Sequence, residues 1–152
     1  MNSKCALVIT SIAKADNRVL QTFAKDCPQH DVEFIVIGDK PSPLNFNLEG
    51  CNFYGLEAQR NLDFSFAKLV PERHYSRKNI GYLQAIKNGA EIIIETDDDN
   101  FPRENFGVTG KKIIRSLRLT GMTGLMCTST SAVVLYGPEV IPWSKFKRKF
   151  LI

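Results

Sequence analysis

The chain is poor in the residues that build metal clusters and nucleophilic dyads. Its four cysteines, Cys5, Cys27, Cys51 and Cys127, are widely spread and make no CxxC pair, a spacing that argues against a zinc site. Cys5 and Cys127 sit inside apolar runs, where a thiol serves as a small buried hydrophobe; the pattern suits a reducing compartment. The two histidines, His30 and His74, form no HxxxH pair and read as surface residues. No G-x-G-x-x-G or G-x-x-x-x-G-K-[ST] segment follows the first apolar run, so neither a nicotinamide cofactor nor a P-loop nucleotide is supported. Ser11, Ser76 and Ser129 lie in no G-x-S-x-G elbow, and nucleophilic hydrolysis is not supported either. Long apolar runs are also missing. The segment from Cys5 to Ile12 is too short to span a bilayer and has no cleavage site behind a longer apolar region. The expectation is a soluble, cytoplasmic protein with no transmembrane segment.

What is present is an ordinary globular composition. The chain has 152 residues, 43% of them hydrophobic and 24% charged, enough for one domain with a core of its own. The net charge of +4 comes from 20 basic and 16 acidic residues. Much of the excess falls in Lys145-Phe146-Lys147-Arg148-Lys149, which reads as a solvated tail rather than a nucleic-acid surface. Trp143, Phe146 and Phe150 are interleaved there and read as packing on the domain or on a partner chain. There is no internal repeat and no low-complexity segment.

The apolar pattern predicts alternating strands and helices. Cys5 to Thr10 reads as a buried first strand, followed by a loop and a helix capped by Asp16, with Val19, Leu20, Phe23 and Ala24 on one face. Cys27-Pro28 should stop that helix. Val32 to Ile37 reads as the second strand, ended by Gly38-Asp39-Lys40-Pro41. Strand, helix and strand in this order form the opening βαβ unit of a parallel sheet. From Pro41 to Gly55 a loop with one short strand is expected. A near-helical stretch follows from Leu56 to Val70, with Asp63 to Phe66 open to irregularity. Ser76 is the expected cap of a helix through Lys87, with Ile80, Leu83 and Ile86 inward and Gly89 as its stop. Beyond Phe106 the pattern predicts a helix over Lys111 to Leu119 and a strand, or two short ones, within Met126 to Tyr136.

Glu91 to Asn100, EIIIETDDDN, is the strongest chemical signal. A β-branched run ending in three consecutive aspartates places carboxylates at the carboxyl end of a buried strand, the edge where open α/β sheets hold ligands. Adjacent carboxylates repel, and each needs a cation or several donors to stay ionised away from water. If strand geometry persists, Asp97 and Asp99 share a side and Asp98 faces away. Such a D-x-D pair offers hard oxygen ligands for Mn²⁺ or Mg²⁺ and leaves positions for phosphate oxygens. An EF-hand fits poorly, because Phe101 falls where another oxygen ligand is needed. The alternative is a solvated acidic turn.

Arg77-Lys78-Asn79 at a helix start is the second signal. Cations there oppose the helix dipole, whereas an anion would reverse that cost, so the segment is a candidate diphosphate site. Asp39 at the end of the second strand is placed to accept from a ribose hydroxyl or a base N–H, though a simple turn also accounts for it.

Together, Ile9-Thr10-Ser11-Ile12, Val36-Ile37-Gly38-Asp39-Lys40, Ser76-Arg77-Lys78-Asn79-Ile80-Gly81-Tyr82-Leu83 and Thr96-Asp97-Asp98-Asp99-Asn100 resemble the STELLO-type glycosyltransferases. More distantly they are similar to the GT-A nucleotide-sugar enzymes that include the reversibly glycosylated polypeptides. The resemblance covers roughly the first two-thirds of the chain and implies an α/β, Rossmann-like GT-A fold, with a mostly parallel sheet flanked by helices. It implies that a nucleotide-sugar donor, a UDP-sugar, is held through Mn²⁺ or Mg²⁺ and that its sugar passes to an acceptor. By the same resemblance Thr10 and Ser11 line the nucleoside pocket, Asp39 contacts the uridine, Arg77 and Lys78 lie near the donor, and Asp97 and Asp99 serve the ribose and metal.

The resemblance ends near Phe106. The chain accordingly divides into a nucleotide-sugar-binding half over residues 1–106 and a diverged segment over residues 107–152 packed on the same domain. Glu139 is the only acid in that segment. No general base can be named there, which keeps a second reading open: a truncated or diverged GT-A-like binding module without transfer activity.

Overall fold

The computed structural model describes residues 4–103, 106 and 132–135. The predicted helix over Lys111 to Leu119, the aromatic and basic tail and Glu139 lie outside the described residues.

Strand β1 (Cys5–Thr10) and strand β2 (Val32–Ile37) have the predicted bounds. They pair in parallel from Cys5 opposite Val32 to Thr10 opposite Ile37. A short β3 (Asn52–Tyr54) lies parallel on the far side of β2. Strand β4 (Ile92–Glu95) lies parallel on the other side of β1. An antiparallel β5 (Ala132–Leu135) follows it, within the stretch read as strand-forming. The order is β3-β2-β1-β4-β5: a mostly parallel, Rossmann-like α/β sheet flanked by helices.

Alternation along the strands sorts the core into two layers. Leu7, Ile9, Phe34 and Val36 face helix α1 (Arg18–Gln29), meeting Leu20, Phe23 and Cys27. Ala6, Val8, Ile35, Ile37 and Ile93 face the opposite way, toward α2 (Leu56–Arg60), α3 (Ser65–Leu69) and α4 (Lys78–Lys87). The stretch from Leu56 to Val70 is thus two short helices with the expected irregularity between them.

Three local expectations are corrected. Asn17, not Asp16, caps α1, because its backbone is extended and its Oδ1 accepts from the N–H groups of Val19 (2.9 Å) and Leu20 (3.0 Å). That helix runs through Pro28 to Gln29. The Ala24 carbonyl, which has no Pro28 N–H to accept, packs against Gly50, where a Cβ would lie 2.3 Å from it. A 3-10 turn (Tyr75–Arg77) precedes α4, and His74 caps it by accepting from the Ser76 N–H at 3.1 Å. Ser76 is therefore a member of the turn rather than its cap.

The inward face of α4 also differs from the expected Ile80, Leu83 and Ile86. Ile80 is buried, Leu83 is half-buried and Ile86 is 41% exposed. Gly81 decides this, because a Cβ there would stand 2.5 Å from Val8 Cγ1 and 2.9 Å from Ile37 Cγ1. The helix lies so close to the sheet that Lys78, Gly81, Gln84 and Ala85 turn inward beside Ile80. Gly89 ends the helix as expected, with its N–H on the Ile86 carbonyl and that of Ala90 on the Ala85 carbonyl, both at 2.9 Å.

Candidate functional site

Where β1 and β4 run side by side, the connections leave in opposite directions: β1 leads through α1 to β2, and β4 arrives from α4. Crevices at such switch points, beyond the carboxyl ends of the strands, are where open α/β sheets bind ligands. Here a cleft of about 280 Å³ opens there, lined by Thr10, Ser11, Ile12, Ile37, Gly38, Asp39, Arg73, His74, Tyr75, Arg77 and Asp98. Four residues picked from sequence, Thr10, Ser11, Asp39 and Arg77, meet at this cleft; the aspartate that lines it is Asp98, expected to face away, while Lys78, Asp97 and Asp99 are not among its lining residues.

The acidic segment does not continue as a strand. β4 stops at Glu95, and Asp98-Asp99 form a turn whose next N–H, of Asn100, reaches the Asp97 carbonyl at 3.3 Å. The strict alternation expected of Asp97 to Asp99 is lost for a physical reason: different partners pull on successive residues. Lys78 Nζ donates to Asp97 Oδ1 (2.9 Å), to Glu95 Oε1 (3.0 Å) and to the Thr96 carbonyl (3.4 Å). Ser11 Oγ donates to Asp98 Oδ2 at 2.5 Å, and Asn17 Nδ2 donates to the Asp98 carbonyl at 3.3 Å. Asp98 is thereby joined to the end of β1 and faces the cleft. Asp99 is exposed.

Lys78 and Arg77 are both buried, with only 2% and 3% of their surface exposed. Burial alone would push the Lys78 ammonium down; its hydrogen bonds to Asp97 and Glu95 outweigh that and hold it above the ordinary lysine value. Arg77 is engaged elsewhere. Its Nε and one terminal nitrogen donate to Gln59 Oε1 at 3.0 and 2.5 Å, and the other reaches the carbonyls of Val70 and Pro71. Burial pushes its guanidinium down, against the opposing charges of Asp39 and Glu72. Gln59, fully buried, donates in turn to the carbonyls of Gly38 (2.7 Å) and Tyr54 (2.6 Å). The Arg77–Gln59 pair therefore braces the cleft floor at the end of β2.

Asp39 takes the turn role expected of it. Its carbonyl accepts from Ser42 N–H (2.8 Å), closing a turn, while its Oδ1 accepts from the backbone of Lys40 (2.7 Å) and Arg73 (2.9 Å). The second bond holds the segment before the 3-10 turn across the cleft, with Arg73 at φ 52°, an unusual backbone for a non-glycine residue. Glu72, paired with Lys40 at 3.3 Å and Arg60 at 2.5 Å, anchors the same segment. The hydrogen bond from Lys40 leads in holding the Glu72 carboxyl below the usual carboxylate range.

Arg73, His74, Tyr75 and Gln59 were not legible as site residues in the sequence. His74, read as a surface residue, is exposed but lines the cleft. Nothing in the local pattern marks Gln59; Glu95 was at least visible as an acid ending an isoleucine run. Three of the cysteines are described, all as free thiols. Burial pushes Cys5 up to about 11 and Cys51 up to about 12, and raises Cys27 as well; protonated thiols of this kind are inert.

Among the described residues no group of three or more His, Cys, Asp and Glu side chains is gathered to hold a metal ion. No helix among them is long and apolar enough to cross a membrane.

Fold and site together define a Rossmann-like α/β domain with an acidic strand end beside its switch-point cleft. Comparison with known proteins gives that class a more particular relative. The chain is 36% identical over 66 residues to a protein of Arabidopsis thaliana named "Probable glycosyltransferase STELLO2", covering 43% of this chain and 9% of that protein. It is 30% identical over 91 residues to "Probable glycosyltransferase STELLO1" of the same plant, covering 60% of this chain and 11% of that protein. Both carry the family name to which the motifs pointed. The chain spans between 9% and 11% of the length of these curated relatives. No family model matches it.

Proposed function

We propose that the chain is a GT-A-like domain that binds a nucleotide-sugar, a UDP-sugar, with Mn²⁺ or Mg²⁺ at the acidic turn and takes part in transferring the sugar to an acceptor. The observation that carries this reading is the Ser11–Asp98 bond, which brings the end of β1 and the acidic end of β4 together at the cleft that Asp39 also lines. Thr10, Ser11 and Asp39 would hold the nucleoside. Arg77 and Lys78, both buried, would serve the donor through Gln59 and Asp97 rather than by touching it.

The donor chemistry supports an ion of this kind. Asp97 has one oxygen on Lys78 and Asp99 is exposed, so hard carboxylate oxygens remain for a cation. Mg²⁺-type sites commonly use one or two carboxylates, with substrate phosphates and water completing the shell. A site of that kind needs no cluster of three protein ligands. Bound there, the ion would supply Lewis-acid stabilisation of the departing diphosphate. The chain's own residues would orient the nucleoside and keep the carboxylates in place.

Calorimetric titration with UDP, with and without Mn²⁺, tests the reading. Metal-dependent binding is expected, with a loss of about tenfold or more in Asp97→Asn and Asp99→Asn proteins that remain folded. Absence of metal-dependent binding to the unaltered chain overturns it. The second reading, a binding module without metal or transfer, is favoured by one observation: Lys78 and Ser11 already satisfy part of the acidic turn without an ion. UDP binding that ignores Mn²⁺, with no donor hydrolysis across a panel of nucleotide-sugars, would select it.

A further inference from the structure

Glu95 to Asp99 carries four carboxylates in five residues. Lys78 reaches this segment from behind, with a side chain 3% exposed. Its ammonium has three protons, and three acceptors stand on consecutive residues: Glu95 Oε1 at 3.0 Å, the Thr96 carbonyl at 3.4 Å and Asp97 Oδ1 at 2.9 Å. The Tyr75 ring, centred 5.5 Å away, lies against it. So enclosed, the ammonium cannot meet a ligand in the cleft. Asp97 is open to solvent, since its side chain is 48% exposed and the lysine takes only one of its oxygens.

We propose that Lys78 is a positioning residue for the ion-binding turn: it fixes the Asp97 carboxylate and the Thr96 carbonyl from the protein side, so that the remaining oxygens of the turn are presented to a divalent ion. The inference rests on the donor-binding reading for its ligand, but not for the ordering of the turn. Charge and position predict opposite results. Removing a buried positive charge next to carboxylates strengthens their attraction for a cation. Releasing Asp97 from its anchor adds an ordering cost to binding and weakens it.

The test compares Glu95→Gln with Glu95→Gln/Lys78→Met in the full chain. A glutamine at position 95 still accepts from Lys78, which keeps its ion pair with Asp97. In the double variant the methionine replaces the lysine stem and no buried charge is left unpaired at position 95. UDP titrated with Mn²⁺ should bind Glu95→Gln within about threefold of the unaltered chain and the double variant about tenfold or more weakly. Without ligand, backbone amides around the turn, including Asn100, should exchange about tenfold faster in the double variant than in Glu95→Gln. Equal or tighter Mn²⁺-dependent binding by the double variant overturns the inference. Should the unaltered chain bind no UDP, the donor reading fails, and the exchange comparison alone decides the role of Lys78, equal exchange overturning it. If the methionine variant does not fold, Lys78→Gln on the same background gives the same comparison.

Discussion

The two faces of the sheet are built on different principles. The α1 face is apolar throughout its depth: Leu7, Ile9, Phe34 and Val36 meet Leu20, Phe23 and Cys27, and the ring of Phe106 packs edge-on against Phe23 at 5.2 Å. Toward its carboxyl end the α4 face buries Gln59, Arg77, Lys78 and Glu95 beside its hydrophobic residues. A buried polar group must find partners or cost stability: Lys78 and Glu95 pair at the end of β4, Gln59 donates at the end of β2, and Arg77 is held by Gln59 and by the Val70 and Pro71 carbonyls. One face is scaffold. The other shapes the cleft, and its stability cannot be separated from the site.

The largest effect that sharpens this contrast is expected from Gln59→Leu. It removes two hydrogen bonds from the buried Arg77 guanidinium, which keeps only the Val70 and Pro71 carbonyls, and takes the Gln59 donor from the Gly38 carbonyl, at a cost of about 3–5 kcal/mol through lost hydrogen bonds to a buried charge. Leu20→Ala on the opposite face should cost about 3 kcal/mol through cavity formation. Urea unfolding measures both. The contrast breaks if ligand binding by the folded fraction of Leu20→Ala falls as far as that of Gln59→Leu.

A smaller effect is expected at Asn17, which caps α1 with Oδ1 and touches the acidic turn through Nδ2. Asn17→Ala should lose about 1 kcal/mol in the same unfolding measurement. Faster amide exchange at Asp98 and Asp99 would show that the scaffold face also supports the turn. The smallest effect concerns pH. The thiols of Cys5, Cys27 and Cys51 have raised pKa values in the folded chain, so the folded state holds their protons more tightly than the unfolded one. Their contribution is fully present below about pH 8.5, the ordinary thiol value, and falls as pH rises toward their folded values. Unfolding midpoints between pH 8 and 10 should therefore decline, and Cys→Ser changes should flatten the decline.

Legibility followed the same division. β1 and β2 were read to the residue because apolar runs, broken only by Glu33 and bounded by polar residues, leave a strand little freedom of register. Gly89 as a helix stop and Asp39 at the end of β2 were also visible locally, whereas Thr10 and Ser11 were marked only by the family resemblance. The caps of α1 and of the 3-10 turn were each missed by one or two positions, since neighbouring polar residues compete for the same N–H groups. The directions of Arg77 and Lys78 were not legible at all. A cation at a helix start points to solvent in most chains, and here both are buried because Gly81 draws the helix onto Val8 and Ile37 while partners wait on α2 and β4.

What the sequence determined by itself is the α/β alternation, the parallel core strands and the presence of an acidic strand end, because hydrophobic period and turn chemistry act over a few residues. Only the tertiary structure decided that Asp98 rather than Asp99 meets Ser11, that Lys78 lies behind Asp97, and that Arg77 braces the cleft floor through Gln59. Ser11 and Asp98 stand 87 positions apart in the chain. Contacts of that kind are set by which strands become neighbours and how closely a helix can approach them, and no local pattern encodes either.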